Sequence, residues 1–226
     1  MIKRLAKIQV RPDYVDEVYQ KLLDAITDGT LAPGTRLTQE EIADEMEVSR
    51  SPVLQALRLL KKDGLVQDAP GRGVLVTPLD PCWIGDLYAV RGALDALAAR
   101  LAAERRYQIA PALIAEGRRA SAGKDVRAMI DADVAFHRAI YEAAQNPLIA
   151  QSTQVHWVHL RRAMGAVLQS SAQRASIWDE HEAIANAIAS GEGARAAALS
   201  EQHTTQAREN LTRRLGEILQ ARPQLA

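Results

Sequence analysis

The sequence predicts a mainly α-helical chain in two parts: a winged helix-turn-helix of three helices and a β-hairpin wing over residues 1–78, then an all-α antiparallel bundle of about six to seven helices over 79–226. Three observations carry that expectation. Residues 34–77, GTRLTQEEIADEMEVSRSPVLQALRLLKKDGLVQDAPGRGVLVT, hold two short helix patterns, a tight turn and a glycine-flanked arginine between β-favouring runs. Pro78 and Pro81 bracket a change in composition, after which the chain is alanine-rich. No strand pattern follows that change, so the remaining helices are expected to bury their apolar stripes against one another.

Taken in order, Asp13 is the expected N-cap of a first helix in which Val15, Val18, Leu22, Leu23 and Ile26 recur at helical spacing until Gly29. LAPG, just ahead of the second helix, reads as a turn. Thr38 and Glu41 have capping-box spacing and open a second helix carrying Ile42, Ala43 and Met46. Ser49 is placed to cap a third, with Pro52 in its first turn and Val53, Leu57, Leu60 and Lys61 leading to Gly64. The runs 65–67 and 74–77 flank AspAlaProGlyArgGly, which is hairpin turn chemistry. Beyond a boundary near Leu79, helices are expected at about 82–105, 108–121, 124–143, 147–168, 171–190 and 193–219, with breaks at Pro111, Asn146-Pro147, and Gly191 with Gly193.

Composition narrows the function classes. Lys and Arg total 28 and Asp and Glu 28, so net charge argues for no nucleic-acid partner and local charge has to. One cysteine, Cys82, excludes an internal disulfide and a multi-cysteine zinc motif, and reads as a linker thiol in a reducing compartment. MIKRLAKIQVRPD is basic but lacks the apolar core and cleavage site of a secretion signal, and no run approaches a membrane span. The expectation is a soluble, cytoplasmic chain.

Local charge points to duplex DNA. Between Val48 and Lys62 stand Arg50, Arg58, Lys61 and Lys62 with no acidic residue, whereas the preceding helix carries Glu40, Glu41, Asp44, Glu45 and Glu47. The third helix is therefore expected to face DNA, with Ser49, Arg50 and Ser51 at base edges in the major groove and Arg50 foremost. Arg36 and Thr38 complete the expected contact set, Arg72 projects from the hairpin tip, and Lys3, Arg4 and Lys7 form a basic arm. These residues resemble the DNA-binding domain of the GntR family of bacterial transcription regulators. The resemblance implies homodimers on palindromic operators. Where the family's usual pattern has an arginine after the Pro-Val pair, this chain has Leu54, so specificity is expected to rest more on Arg50, its serine neighbours and the wing.

The second part carries a polar constellation on apolar stripes. Asp133 and His137 interrupt a stripe of Val126, Ile130, Ile140 and Ala144; His181 lies among Ile177, Ile184 and Ile188; His203 lies among Leu199, Ala207 and Leu211. One carboxylate and three imidazoles facing a common interior make a sound set for a divalent ion, and zinc, nickel and manganese all suit it. His156 and His159, on either side of Trp157, read as surface or interface residues.

VRGALDALAARLAA, DADVAFHRAIYEAAQNPLI, HEAIANAIASGEGARAAAL and His203 resemble the all-helical FCD effector-binding domain of FadR-type regulators, over residues 83–210. The resemblance implies Asp133, His137, His181 and His203 as metal ligands. Arg91, read from Leu87, Val90 and Leu94 as bordering its helix's buried stripe, matches a family arginine and is expected to grip a small carboxylate effector. The expected function is a ligand-responsive regulator, more in the manner of a repressor, and not an enzyme. A metalloenzyme and a metal that only cross-links the bundle are the rival readings. Against the enzyme, Glu142 and Glu182 lie beside ligands but on adjoining faces, and no separate base stands out.

Overall fold

A computed structural model describes residues 14–168 and 176–221. Asp13 and the basic arm of Lys3, Arg4 and Lys7 lie outside the described residues. Two compact units result, one taking in Leu31–Thr77 with the residues up to Ile26, the other Thr27–Thr30 with the chain from Pro78.

In the first unit, α1 (Tyr14–Thr27) buries Val18, Leu22 and Ile26, the i, i+4, i+8 face its sequence presents. The short β1 (Arg36–Leu37) follows, then α2 (Gln39–Glu45) and α3 (Arg50–Lys62). Thr38 and Glu41 close the capping box in both directions: the Thr38 hydroxyl accepts from the Glu41 amide at 3.2 Å, and the Thr38 amide donates to Glu41 at 3.0 Å. Ser49 holds the N-cap position of α3 without a side-chain cap bond, so the expected capping contact is absent and its hydroxyl is not tied to the helix end. Between the two helices Glu47 adopts φ of 52°, and the Val48 amide reaches back to the Ala43 carbonyl at 3.0 Å. Val53, Ala56, Leu60, Leu65 and Val76 are fully buried beneath them.

The wing is a three-stranded antiparallel sheet, with β3 (Val74–Val76) between β1 and β2 (Val66–Asp68). Val66 pairs with Val76, Gln67 with Leu75, and Leu37 with Val74. The sequence predicts the hairpin but not β1, because a two-residue strand is too short to display an alternation. At the wing's tip Gly73 has φ of 88°, and a Cβ there would lie 2.4 Å from the Leu37 carbonyl oxygen.

The second unit is all-helical among its described residues: α4 (Pro81–Glu104), α5 (Pro111–Ala122), α6 (Val126–Ala144), α7 (Pro147–Leu168), α8 (Ile177–Ser190) and α9 (Gly193–Ala221). Asp80 caps α4 by accepting from the exposed Cys82's amide at 2.9 Å, and Asp125 caps α6. α5 begins at Pro111 rather than near residue 108, since a proline without an N–H fits the first turn and not the interior. The expected start of the next-to-last helix near residue 171 lies outside the described residues. α4 and α9 run together over the longest contact, α4 also packs on α6, and α6 rests on α5 and α7. Phe136, Leu160, Ile184, Ile188 and Leu215 form the centre of this core. α5 meets α8 closely enough that a Cβ on Gly117 would overlap the Trp178 ring at 1.9 Å. Among the described residues, no helix is long and apolar enough to cross a membrane.

Candidate functional site

Asp133 and His137 project from α6 one turn apart, His181 comes from α8 and His203 from α9, and all four are buried. One ligand atom from each lies within 4.8 Å of all the others. The Nε2 atoms of His181 and His203 are 3.3 Å apart, and Asp133 Oδ1 is 3.5 Å from His181 Nε2. Two nitrogens bound to one tetrahedral zinc ion, each about 2.0–2.1 Å from it, stand about 3.3 Å apart, so the spacing matches a shared ion.

The opposite ring nitrogens support this orientation. His203 Nδ1 is 2.7 Å from Glu180 Oε2, and His137 Nδ1 is 3.5 Å from Asp95 Oδ2. The buried Nε2 of His137 has no hydrogen-bond partner among the described residues, a costly state that a metal would relieve. Burial pushes the His137 pKa well below its ordinary value, and the positive Arg91 and the other two imidazoles push the same way. The imidazole is therefore neutral, the form a metal requires. Phe136 and Trp178 flank His181, with ring centroids 4.3 and 4.6 Å away, and hold its plane.

Arg91 does not border the buried stripe of α4; it is enclosed, at 2% exposure, while Val90 beside it is exposed. Its Nε lies 3.1 Å from Asp95 Oδ2 and its guanidinium carbon 3.9 Å from the centre of the Trp157 ring. Burial opposes the charge on Arg91, but Asp95 and Tyr141 outweigh it and hold the guanidinium protonated. Tyr141 donates to Asp95 Oδ1 at 2.5 Å. Asp95 and Glu180 escaped the sequence reading. Their only signals were helical spacing from Arg91 and adjacency to His181.

Beside Asp133 opens a cavity of about 90 Å³, lined by Tyr88, Met129, Met164, Ile177, Trp178, Asn210 and Arg214 among others. Arg91 is placed in the Asp95 network and not among that cavity's described walls. Of the two histidines read as surface or interface residues, His159 is buried within the chain and meets Trp83 edge-on at 4.6 Å, because its face of α7 turns inward. His156 is half-buried, and burial lowers its pKa. Glu142 and Glu182 turn outward to Arg138 and Arg118, at 3.1 and 2.9 Å.

In the first unit, Arg50, Leu54, Arg58 and Lys61 of α3, Thr38 and Glu40 near the start of α2, and Arg72 of the wing line one groove of about 580 Å³. Ser49 and Ser51 are exposed where α3 begins. Arg36 donates to the Arg72 carbonyl and so braces the wing tip. Arg50 pairs with Glu40 and its carbonyl accepts from Gln39, while Lys61 pairs with Asp68 at 2.6 Å. Leu54 is exposed within the same groove.

With this geometry in place, residues 14–76 match the model of the bacterial regulatory proteins of the gntR family, and residues 86–206 match the FCD domain. The chain belongs to the GntR family. LutR, an HTH-type transcriptional regulator of Bacillus subtilis, is 31% identical over 222 residues, spanning 83% of this chain and 96% of LutR. An HTH-type transcriptional regulator of Streptomyces ambofaciens is 30% identical, spanning 78% of this chain and 75% of its own. Among solved structures, McbR/YncC of E. coli superposes with a TM-score of 0.74 at 19% identity, covering 91% of this chain and 99% of that one. A putative GntR regulator from Rhodococcus sp. RHA1 gives 0.68 at 25%, covering 92% and 98%. This GntR-family chain is thus a transcription regulator and not an enzyme, with a DNA-binding winged helix-turn-helix and an FCD domain of the kind that binds small effectors and often metals.

Proposed function

We propose that the protein acts in the cytoplasm as a homodimeric repressor, releasing a palindromic operator when a small carboxylate occupies a metal-bearing pocket. Residues 1–78 are its DNA-binding part and 79–226 its effector-binding and dimerisation part. One observation carries the sensing half: three imidazoles and a carboxylate are buried around a common point, with His137 Nε2 otherwise unpartnered. Asp133, His137, His181 and His203 would hold a divalent ion, whether zinc, nickel or manganese. That ion would supply a Lewis-acid anchor for a carboxylate oxygen. The cavity against Asp133 favours sensing over an ion that merely cross-links helices. Arg91 adds positive potential from behind this group and is the candidate effector arginine, its ion pair with Asp95 having to share the charge.

On the output side, Arg50, Arg58 and Arg72 flank the groove, Ser49 and Ser51 stand at the start of α3, and Arg36 and Thr38 support the wing and α2. Exposed Val90 on α4, with Leu148 and Val155 on α7, supports pairing of two copies through the FCD domain. Coupling requires that effector and operator prefer different arrangements of the dimer.

Selection of operator fragments from random DNA, followed by challenge with carboxylates, tests the reading. Specific fragments released by a carboxylate are expected, and absence of any sequence preference would defeat it. Arg50→Ala is expected to lower operator affinity about 10- to 100-fold, the worth of a good base contact. Its stability should hardly change, because the bridge to Glu40 is exposed at both ends. Full metal occupancy in His181→Ala would remove His181 from the ligand set.

A further inference from the structure

The walls of the cavity beside Asp133 carry information about what fits there. Met129 lies on α6 one turn before Asp133, Met164 and Val167 come from α7, Ile177 and Trp178 from α8, and Leu211 from α9. Ser121 is the polar group of α5 on this wall, and its Oγ already accepts from Trp178 Nε1 at 2.8 Å. Polar groups otherwise come from Tyr88 on α4, from Asp133 on α6 and from Asn210 and Arg214, one turn apart, on α9. The space is small, about 90 Å³.

We infer that the effector is a compact organic acid with one carboxylate and an apolar body, aromatic or branched aliphatic, and not a polycarboxylate or a sugar acid. The carboxylate end belongs with the Asp133 and histidine group. The body lies against methionine, isoleucine and tryptophan. A hydroxyl or further carboxylate turned toward Met129, Met164, Ile177 and Trp178 would leave water to face thioether and hydrocarbon, losing hydrogen bonds that this side of the cavity does not return. Methionine suits such a wall, since its flexible chain closes around either a flat ring or a branched alkyl group. The inference rests on the sensor reading above.

Calorimetric titration of the full-length, zinc-loaded protein with benzoate and with citrate tests it. Benzoate carries one carboxylate on an apolar ring, whereas citrate carries three carboxylates and a hydroxyl. Benzoate is expected to bind at least tenfold more tightly than citrate. Met164→Gln and, separately, Met129→Gln are expected to weaken benzoate tenfold or more with zinc content unchanged. Tighter binding of citrate, or benzoate affinity unchanged in both variants, overturns the inference while leaving a metal-bearing sensor intact. Failure of both acids to bind the wild-type protein removes the sensor reading, and this inference with it.

Discussion

Glu180 sits on the outer side of His203, its Oε2 2.7 Å from Nδ1, and so sets which ring nitrogen of that histidine faces inward. A carboxylate in this position keeps the proton on Nδ1 and leaves Nε2 as the donor atom for a metal. Glu180→Gln is therefore expected to weaken metal binding 10- to 100-fold with the helical content retained, as read by competition with a chelator of known affinity. His137 makes a second expectation. Its folded pKa lies well below the ordinary value, so between the two the unfolded chain binds a proton that the folded chain refuses. The stability from this group is complete above about pH 6.5 and declines as the pH falls below it. Urea midpoints of the metal-free protein should drop from pH 7.5 to 5.5, and His137→Asn should flatten that slope. At this scale the four candidate ligands were legible because each interrupts an apolar stripe, and Asp133 with His137 shows helical spacing. Glu180 was not, since a glutamate in a helix's first turn ordinarily faces water. Its partner stands 23 residues away and meets it only once α8 and α9 have packed.

The helices were legible for a different reason: periodicity accumulates with length, and α4, α6, α7 and α9 each offer several turns over which an apolar stripe can repeat. Proline and the capping residues then fixed the ends at Pro147 and Thr38, whereas the expected start near residue 108 ran ahead of Pro111, where α5 begins. Arg91 was misplaced because the stripe of α4 is broad. The helix buries Gly92, Asp95, Ala98 and Ala99 as well as Leu87, and sequence periodicity did not separate its edge from its middle. β1 escaped because its pairing with β3 is entirely tertiary. That same strand limits the wing. At Gly73 a side chain would meet both an unfavourable positive φ and the β1 backbone. Gly73→Ala should cost about 1–3 kcal/mol of stability in this unit and weaken operator binding, since Arg72 would lose its placement. Thermal denaturation and gel-shift titration of the variant would check both, and an unchanged wing would show that β1 gives way.

For the molecule as a whole, equal totals of acidic and basic residues conceal a segregated pattern in which Glu40, Glu41 and Asp44 fall on α2 and Arg58, Lys61 and Lys62 on α3. A neutral chain can thus engage a polyanion through one face. Trp83, Trp157 and Trp178 are the chain's three tryptophans, and all belong to the helical unit that carries the candidate ligands. Their fluorescence therefore follows that unit alone. Zinc at a thousandfold excess over its dissociation constant should stabilise it by about 4 kcal/mol, and a chelator should reverse the shift in the fluorescence-detected melting curve. An unmoved curve would count against the ligand set. Cys82 serves a different purpose. It is the chain's only thiol and is exposed where α4 begins. A nitroxide attached there would mark each subunit of the proposed dimer once, with no engineering of other positions. In a two-subunit assembly the resulting spin pair has a single separation, so pulsed electron resonance can follow the opening or closing of the regulator as operator and acid are added in turn.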